Sequence, residues 1–243
     1  MKKIIIILML ISMLGISGCT IYLDSSEEVV NESGYEKKYS IETKEEIDEV
    51  KLKCVLGIGE LNINGGSEKI VDSIFNYSHM SWEPIIEDSD IGSVKIVKIS
   101  NPSVNINSLS NYVYDWNINL NKKLPLSIDL DLGVGEGNIN LSDTNLRNLD
   151  IQMGVGDVLV DLRKIYEEDV AINIDGGVGK LKLLLSKDMG MKAKISGGLK
   201  TVSGKNLIIK DNNYYNKAFE VAEKIVELNI RAGIGQIELI IED

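Results

Sequence analysis

Apolar and polar residues alternate strictly through the second half of the chain. In "LSIDLDL", Leu126, Ile128, Leu130 and Leu132 share one side, while Ser127, Asp129 and Asp131 share the other. The same period of two runs through Leu149, Ile151 and Met153, through Val158, Val160 and Leu162, and through Val170, Ile172 and Ile174. It returns in Leu181, Leu183 and Leu185. Each set predicts a half-buried strand with one wet face. Asp129, Asp131, Asp150, Asp161 and Asp175 are therefore expected to be solvated outward positions rather than catalytic carboxylates. No helical period is sustained in the folded region. "NNYYNKAFEVAEKIVELNI" reads as a loop followed by a strand over 224–231, and the less regular stretch before Pro102 still holds the strand "SVKIVKI".

Between such strands lies a recurring G-x-G. It pairs Gly57 with Gly59, Gly133 with Gly135, Gly154 with Gly156, Gly177 with Gly179, and Gly233 with Gly235. Gly133, Gly154 and Gly177 are 21 and 23 residues apart, and a weaker pair, Gly197-Gly198, follows 20 later. A period near 20 fits one unit of two short strands and two turns, which must stack on neighbours to bury its apolar face. The predicted fold is all-β: stacked two-strand repeats forming a solenoid-like β-sandwich with atypical terminal caps. The glycines serve as structural turns, since a sharp bend needs positive φ or close backbone approach. The residue between them (Ile58, Val134, Val155, Val178, Ile234) is expected to plug the core.

Other uses of glycine fit less well. A dinucleotide loop requires G-x-G-x-x-G opening a helix. Here "GVGEGNINL" places its third glycine one residue early and runs into a strand. "GVGKLKL" lacks the Ser or Thr that follows the lysine of a P-loop. Calcium-binding repeats need Asp after the glycines in tandem nonapeptides, and only Asp157 comes near, leaving weak surface calcium binding as an alternative.

The N-terminus points to an address. "MKK" precedes the apolar run "IIIILMLISML", which is shorter than the roughly 20 residues a spanning helix needs and suits a signal-peptide core. It ends in "ISGC", which resembles the bacterial lipobox and marks Cys19 as the lipidated residue. Residues 1–18 are then the signal peptide and 19–48 a lipid-anchored tether. Removing Lys2 and Lys3 takes the net charge from −11 to −13. That balance argues against nucleic acid as a partner, which calls for clustered Lys and Arg. The 44% hydrophobic content supports a packed core.

Chemistry-bearing residues are sparse. With Cys19 lipidated, Cys54 is the remaining thiol and reads as a buried small hydrophobe. One histidine, His79, offers neither Cys–His catalysis nor a zinc ligand set, so no cofactor or metal is expected. No G-x-S-x-G, H-E-x-x-H or S-x-x-K arrangement occurs. Trp82, Trp116, Tyr112 and Tyr114 pack in the core on one reading and line a carbohydrate or peptide groove on the other.

"LGIGELNINGG", the W-x-I-x-L segment at Trp116–Leu120, "PLSIDLDLGVGEGNINL" from Pro125 and the closing "RAGIGQIELII" resemble the bacterial toast-rack family, which joins an N-terminal toast-rack domain to adhesin-like β repeats. More distantly, the chain is similar to the extracellular halves of membrane proteins that respond to cell-wall-active antibiotics. The resemblance implies a toast-rack part over 49–125, a G-x-G repeat part over 126–243 continuous with it, and an envelope location. It supplies no catalytic residue. The expectation is a non-enzymatic protein, anchored by lipid at the extracytoplasmic face of the cell membrane. Its repeats would act as a scaffold toward an envelope protein or cell-wall component, with a role in envelope-stress sensing. The alternative is a wall-glycan or peptide carrier, or an enzyme, built on the Trp/Tyr groove.

Overall fold

A computed structural model describes residues 34–103 and 113–242. Among these the regular elements are strands, β1 (Tyr35–Ile41), β2 (Glu49–Ser67), β3 (Val71–Tyr77), β4 (Ile85–Ile91), β5 (Val94–Ser100), β6 (Tyr114–Asn121), β7 (Pro125–Asn140) and β8 (Asn145–Leu162). They continue with β9 (Val170–Asp175), β10 (Val178–Ser186), β11 (Gly190–Gly197), β12 (Lys200–Lys205), β13 (Ile208–Lys210), β14 (Asn213–Tyr215), β15 (Ile225–Ala232) and β16 (Ile234–Glu242). Two single-turn 3₁₀ segments, Met80–Trp82 and Lys217–Glu220, interrupt them.

The strands β2, β7 and β8 are long enough to serve two layers. The first half of β2 pairs with β5 on one side and β7 on the other, all parallel, and its second half pairs with β6 and again β7. One layer runs β4–β5–β2–β7–β8–β9–β15–β11–β14–β13 through the first halves. The other runs β1–β3–β6–β2–β7–β8–β10–β16–β12 through the second halves. The layers meet at G-x-G. There the buried positions change parity, from Leu126, Ile128 and Leu130 to Ile139 and Leu141, because the turn at the glycines reverses the alternation.

Parallel register stacks like on like. Ile99, Cys54, Leu130, Ile151, Ile174, Ile230 and Ile195 form one buried column across the first layer. Trp116, Leu61, Gly137, Val158, Leu181 and Ile237 form a facing column in the second, where the Leu132 side chain fills the space left by Gly137. Both belong to a single apolar core. Fully burying a Leu or Ile side chain contributes about 1.5–3 kcal/mol, so these columns supply the main drive to fold.

The stacking order departs from chain order at both ends. The pair β5/β6 lies on the far side of β2 from β7, although it follows β2 in sequence. At the other end β15/β16 inserts between β9/β10 and β11/β12, so the strong Gly233 motif, rather than the weak Gly197-Gly198 pair, stacks on Gly177. The loop predicted before residue 224 also contains β14 and a 3₁₀ turn. Its Asn- and Tyr-rich sequence reads as turn, yet β14 is held by backbone pairing to β11 and β13.

A polar cap closes one end of the core. Lys95, 3% exposed, is paired with Asp88 at 2.8 Å and with Asp90. Asp88 also accepts a hydrogen bond from Tyr39 at 2.5 Å, tying β1 of one layer to β4 of the other. The Lys95 ammonium and the Tyr39 hydroxyl hold the Asp88 carboxyl below its usual range.

Candidate interaction surface

The ten motif glycines form two columns. In the first, Gly133, Gly154, Gly177 and Gly233 stack in turn on Gly57, each backbone against the glycine carbonyl of the preceding coil, and Gly198 extends the column. In the second, Gly59, Gly135, Gly156, Gly179 and Gly235 sit in register and all have φ between +140° and +155°. A Cβ at Gly135, Gly156, Gly179 or Gly235 would collide with the carbonyl oxygen of the neighbouring glycine. The motif is thus demanded twice, by backbone conformation and by lack of space. The crevices along the glycines measure ≈ 10 and ≈ 20 Å³, room for a water and far too small for a phosphate group.

The residue between the glycines does not plug the core. Val134, Val155, Val178 and Ile234 are 50%, 53%, 41% and 55% exposed, and Ile58 is half-buried. The turn aims this side chain away from both layers, and close-packed glycine backbone closes the core in its place. Register joins Ile58 to Val134, Val134 to Val155, Val155 to Val178 and Val178 to Ile234. Leu199, 79% exposed, adds a sixth member, because its carbonyl accepts from Gly235 N at 3.0 Å. Six aliphatic side chains on strands about 4.8 Å apart make a ridge about 24 Å long. A continuous exposed apolar stripe of this kind marks a contact surface, whereas scattered exposed residues do not.

Columns that are polar except at Val55 flank the ridge. On one side stand Val55, Asp131, Gln152, Asp175, Arg231 and Ser196. On the other stand Glu60, Glu136, Asp157, Lys180, Gln236 and Thr201. Arg231 grips Asp175 through two hydrogen bonds of 2.5 and 2.6 Å, which keeps that carboxyl below its ordinary range. Asp157 accepts from Lys180 N at 2.9 Å, so its carboxylate serves the sheet. Among the described residues no three of His, Cys, Asp and Glu gather closely enough to hold a metal ion. A shallow polar depression of ≈ 490 Å³ opens beside the first column, lined by Asp150, Asn173, Asp175, Lys194, Asn229 and Arg231. Several of its groups pair across strands, Asn173 with Asp150 at 2.8 Å among them.

Among the described residues the aromatic side chains follow the core reading and form no groove. Trp116 is fully buried, Tyr114 and Trp82 nearly so, in an edge-to-face chain running from Phe75 through Trp116 and Tyr114 to Trp82. Their large apolar rings close the core beside the first coil, where Tyr114 backbone packs against Gly59. Tyr112 lies outside the described residues, as does Cys19. Cys54 is fully buried in its aliphatic column, and burial, reinforced by the Asp129 charge, pushes its thiol up and away from reactivity. The ring of His79 rests on Trp82 at 5.3 Å, far from any second ligand set.

Residues 29–184 match the model of the N-terminal domain of toast_rack. The chain belongs to the toast-rack family. A crystal structure of a candidate cell adhesion protein from Clostridium sporogenes ATCC 15579 is similar over 86% of this chain and 100% of that one, with 36% identity and a TM-score of 0.82. A candidate adhesin from Bacteroides fragilis NCTC 9343 aligns over 86% of this chain and 98% of its own, at 11% identity and a TM-score of 0.35. Another from Parabacteroides merdae ATCC 43184 aligns over 86% and 97%, at 12% identity and a TM-score of 0.21. No curated protein matches.

The ridge itself was not foreseen from sequence. Alternation from the incoming strand points Val134 inward and alternation from the outgoing strand points it outward. The parity change between the two apolar sets is the signal that a reversal lies between them, but it does not say on which side the middle residue falls.

Proposed function

We propose that this toast-rack protein is a non-enzymatic, adhesin-like contact module displayed on the outside of the bacterial cell membrane. The observation that carries the reading is the ridge of Ile58, Val134, Val155, Val178, Ile234 and Leu199, an apolar stripe one side chain per coil that runs in register across six coils. The family match and the likeness to a candidate cell adhesion protein support it. In this reading lipid on Cys19 anchors the chain, residues 19–48 act as its tether, and the rigid coils present the ridge to an envelope or surface partner. The same placement suits envelope-stress sensing, with occupation of the ridge as the signal. Function by display needs no cleft and no activated nucleophile, in keeping with buried Trp116 and Cys54.

Fractionation of cells carrying the wild type and Cys19→Ala tests the anchor. The variant should leave the membrane fraction for the medium or the soluble fraction, and unchanged membrane retention would overturn lipid anchoring. Cell-attachment assays with the ridge variant Val155→Asp test the contact role. Attachment should fall with membrane localisation intact, and undiminished attachment would remove the ridge from the mechanism.

A further inference from the structure

We infer that the ridge binds the ridge of a second copy of the chain, antiparallel, about a two-fold axis passing between the β8 and β10 coils. The inference deepens the contact-module reading and rests on it. Its basis is the charge order along the two flanks, which is self-complementary in one direction only.

Counting coils along the stack from β2 to β12, an antiparallel two-fold places coil one against coil six, two against five and three against four. It also sets each flank against the same flank of the second copy. On the first flank, Asp131 then faces Arg231, Gln152 faces Asp175, and Val55 faces Ser196. On the second, Asp157 faces Lys180, Glu136 faces Gln236, and Glu60 faces Thr201. Each unlike pair occurs twice by symmetry, and no like charges meet. The Arg231 side chain is 77% exposed beyond its bond to Asp175 and can serve both carboxylates. The parallel alternative sets one flank against the other at equal height and brings Asp131 against Glu136. Like-charge juxtaposition across an interface is strongly disfavoured, so charge selects the antiparallel form.

The centre of that interface is apolar. Val155 faces Val178, Val134 faces Ile234, and Ile58 faces Leu199, so the bulky end members meet at the two extremities. An isologous contact of this kind closes on itself as a dimer and does not propagate into a fibre. The ridge alone covers on the order of 400–500 Å² per copy, and the flanks bring the contact toward the roughly 800 Å² per partner of a stable complex.

Cysteine cross-linking in intact cells tests it, using two differently tagged full-length copies. Val134→Cys in one copy and Ile234→Cys in the other should give a disulfide-linked pair under mild oxidation. Val134→Cys present in both copies should give none, because those sites stand three coils apart, about 14 Å. Adding Val155→Asp should reduce the cross-linked fraction by about 30-fold, the effect of losing roughly 2 kcal/mol at a central contact. Efficient linkage of Val134→Cys to itself would overturn the antiparallel arrangement in favour of the parallel one. Absence of any linkage, with cell attachment still sensitive to Val155→Asp, would overturn self-association and leave a different partner for the ridge. Attachment insensitive to Val155→Asp defeats the contact-module reading itself, so the two failures are distinguishable.

Discussion

At one end of each coil the chain turns on bare backbone, and at the other it turns on buried side-chain amides and hydroxyls. The glycine corner repeats with nearly the same residues in five coils, Gly57–Gly59 through Gly233–Gly235. The return corner never repeats. Asn121 donates to Glu68 O and Lys69 O and accepts from Lys123 N and Leu124 N. Thr144 and Tyr166 both donate to Leu141 O. Asn216 accepts from Met191 N at 2.9 Å and donates to Met189 O at 2.7 Å. A side chain that reaches several backbone groups can close turns of many lengths, so that corner is free to vary. Stacked glycines tolerate a single geometry, and uniform geometry is what aligns six aliphatic residues into a ridge.

Substitution of Gly156 by Ala strikes the uniform corner hardest. The new Cβ would meet Gly135 O, and the backbone there has φ of +146°. Urea unfolding should show a loss of about 3–5 kcal/mol, placing this variant among the most damaging single changes. Asn216→Ala tests the return corner by orphaning Met191 N and Met189 O, at about 1 kcal/mol or more per group, for a loss of about 2–4 kcal/mol. If Asn216→Ala costs more than Gly156→Ala, the ranking of the two corners is reversed.

Asp88 provides a control that spares both corners. Its carboxyl titrates lower in the folded chain than in the unfolded one, because Lys95 and Tyr39 bind the charged form. Its contribution to stability is therefore present above the unfolded value near pH 4 and is lost as pH falls through the lower folded value. Thermal melts between pH 6 and 2 should decline more steeply for the wild type than for Asp88→Asn, and equal slopes would detach this cap from acid stability. The smallest effect is expected at the ridge. Val155→Ser should change stability by less than about 0.5 kcal/mol, since its side chain is half in water already.

Much of the layer structure was legible in the chain. Period-two sets such as Leu126, Ile128 and Leu130 are the inward faces observed, and Asp129 and Asp150 stand outside as expected. Parallel coils place like residues on like, so local alternation is enough to reveal them. The order of coils was hidden, because β15 reaches its place between β9 and β11 through pairing with distant strands. So was the direction of Val134, because the parity change marks a backbone reversal without saying on which side the middle residue falls. The aromatic residues, which the sequence allowed either in the core or in a groove, stayed ambiguous for a related reason. Trp116 and Tyr114 belong to a coil whose partners, Leu61 and Phe75, come from elsewhere in the sequence.

Two adjacent residues of one motif carry the central claim, that Gly156 makes the corner while Val155 is left free for contact. The direct measurement is the urea-unfolding midpoint of Val155→Asp beside that of Gly156→Ala. At a protein concentration too low for two copies to pair, Val155→Asp should unfold within error of the wild type while Gly156→Ala falls far below it. A Val155→Asp midpoint lowered as much as that of Gly156→Ala would place Val155 in the core and contradict the claim.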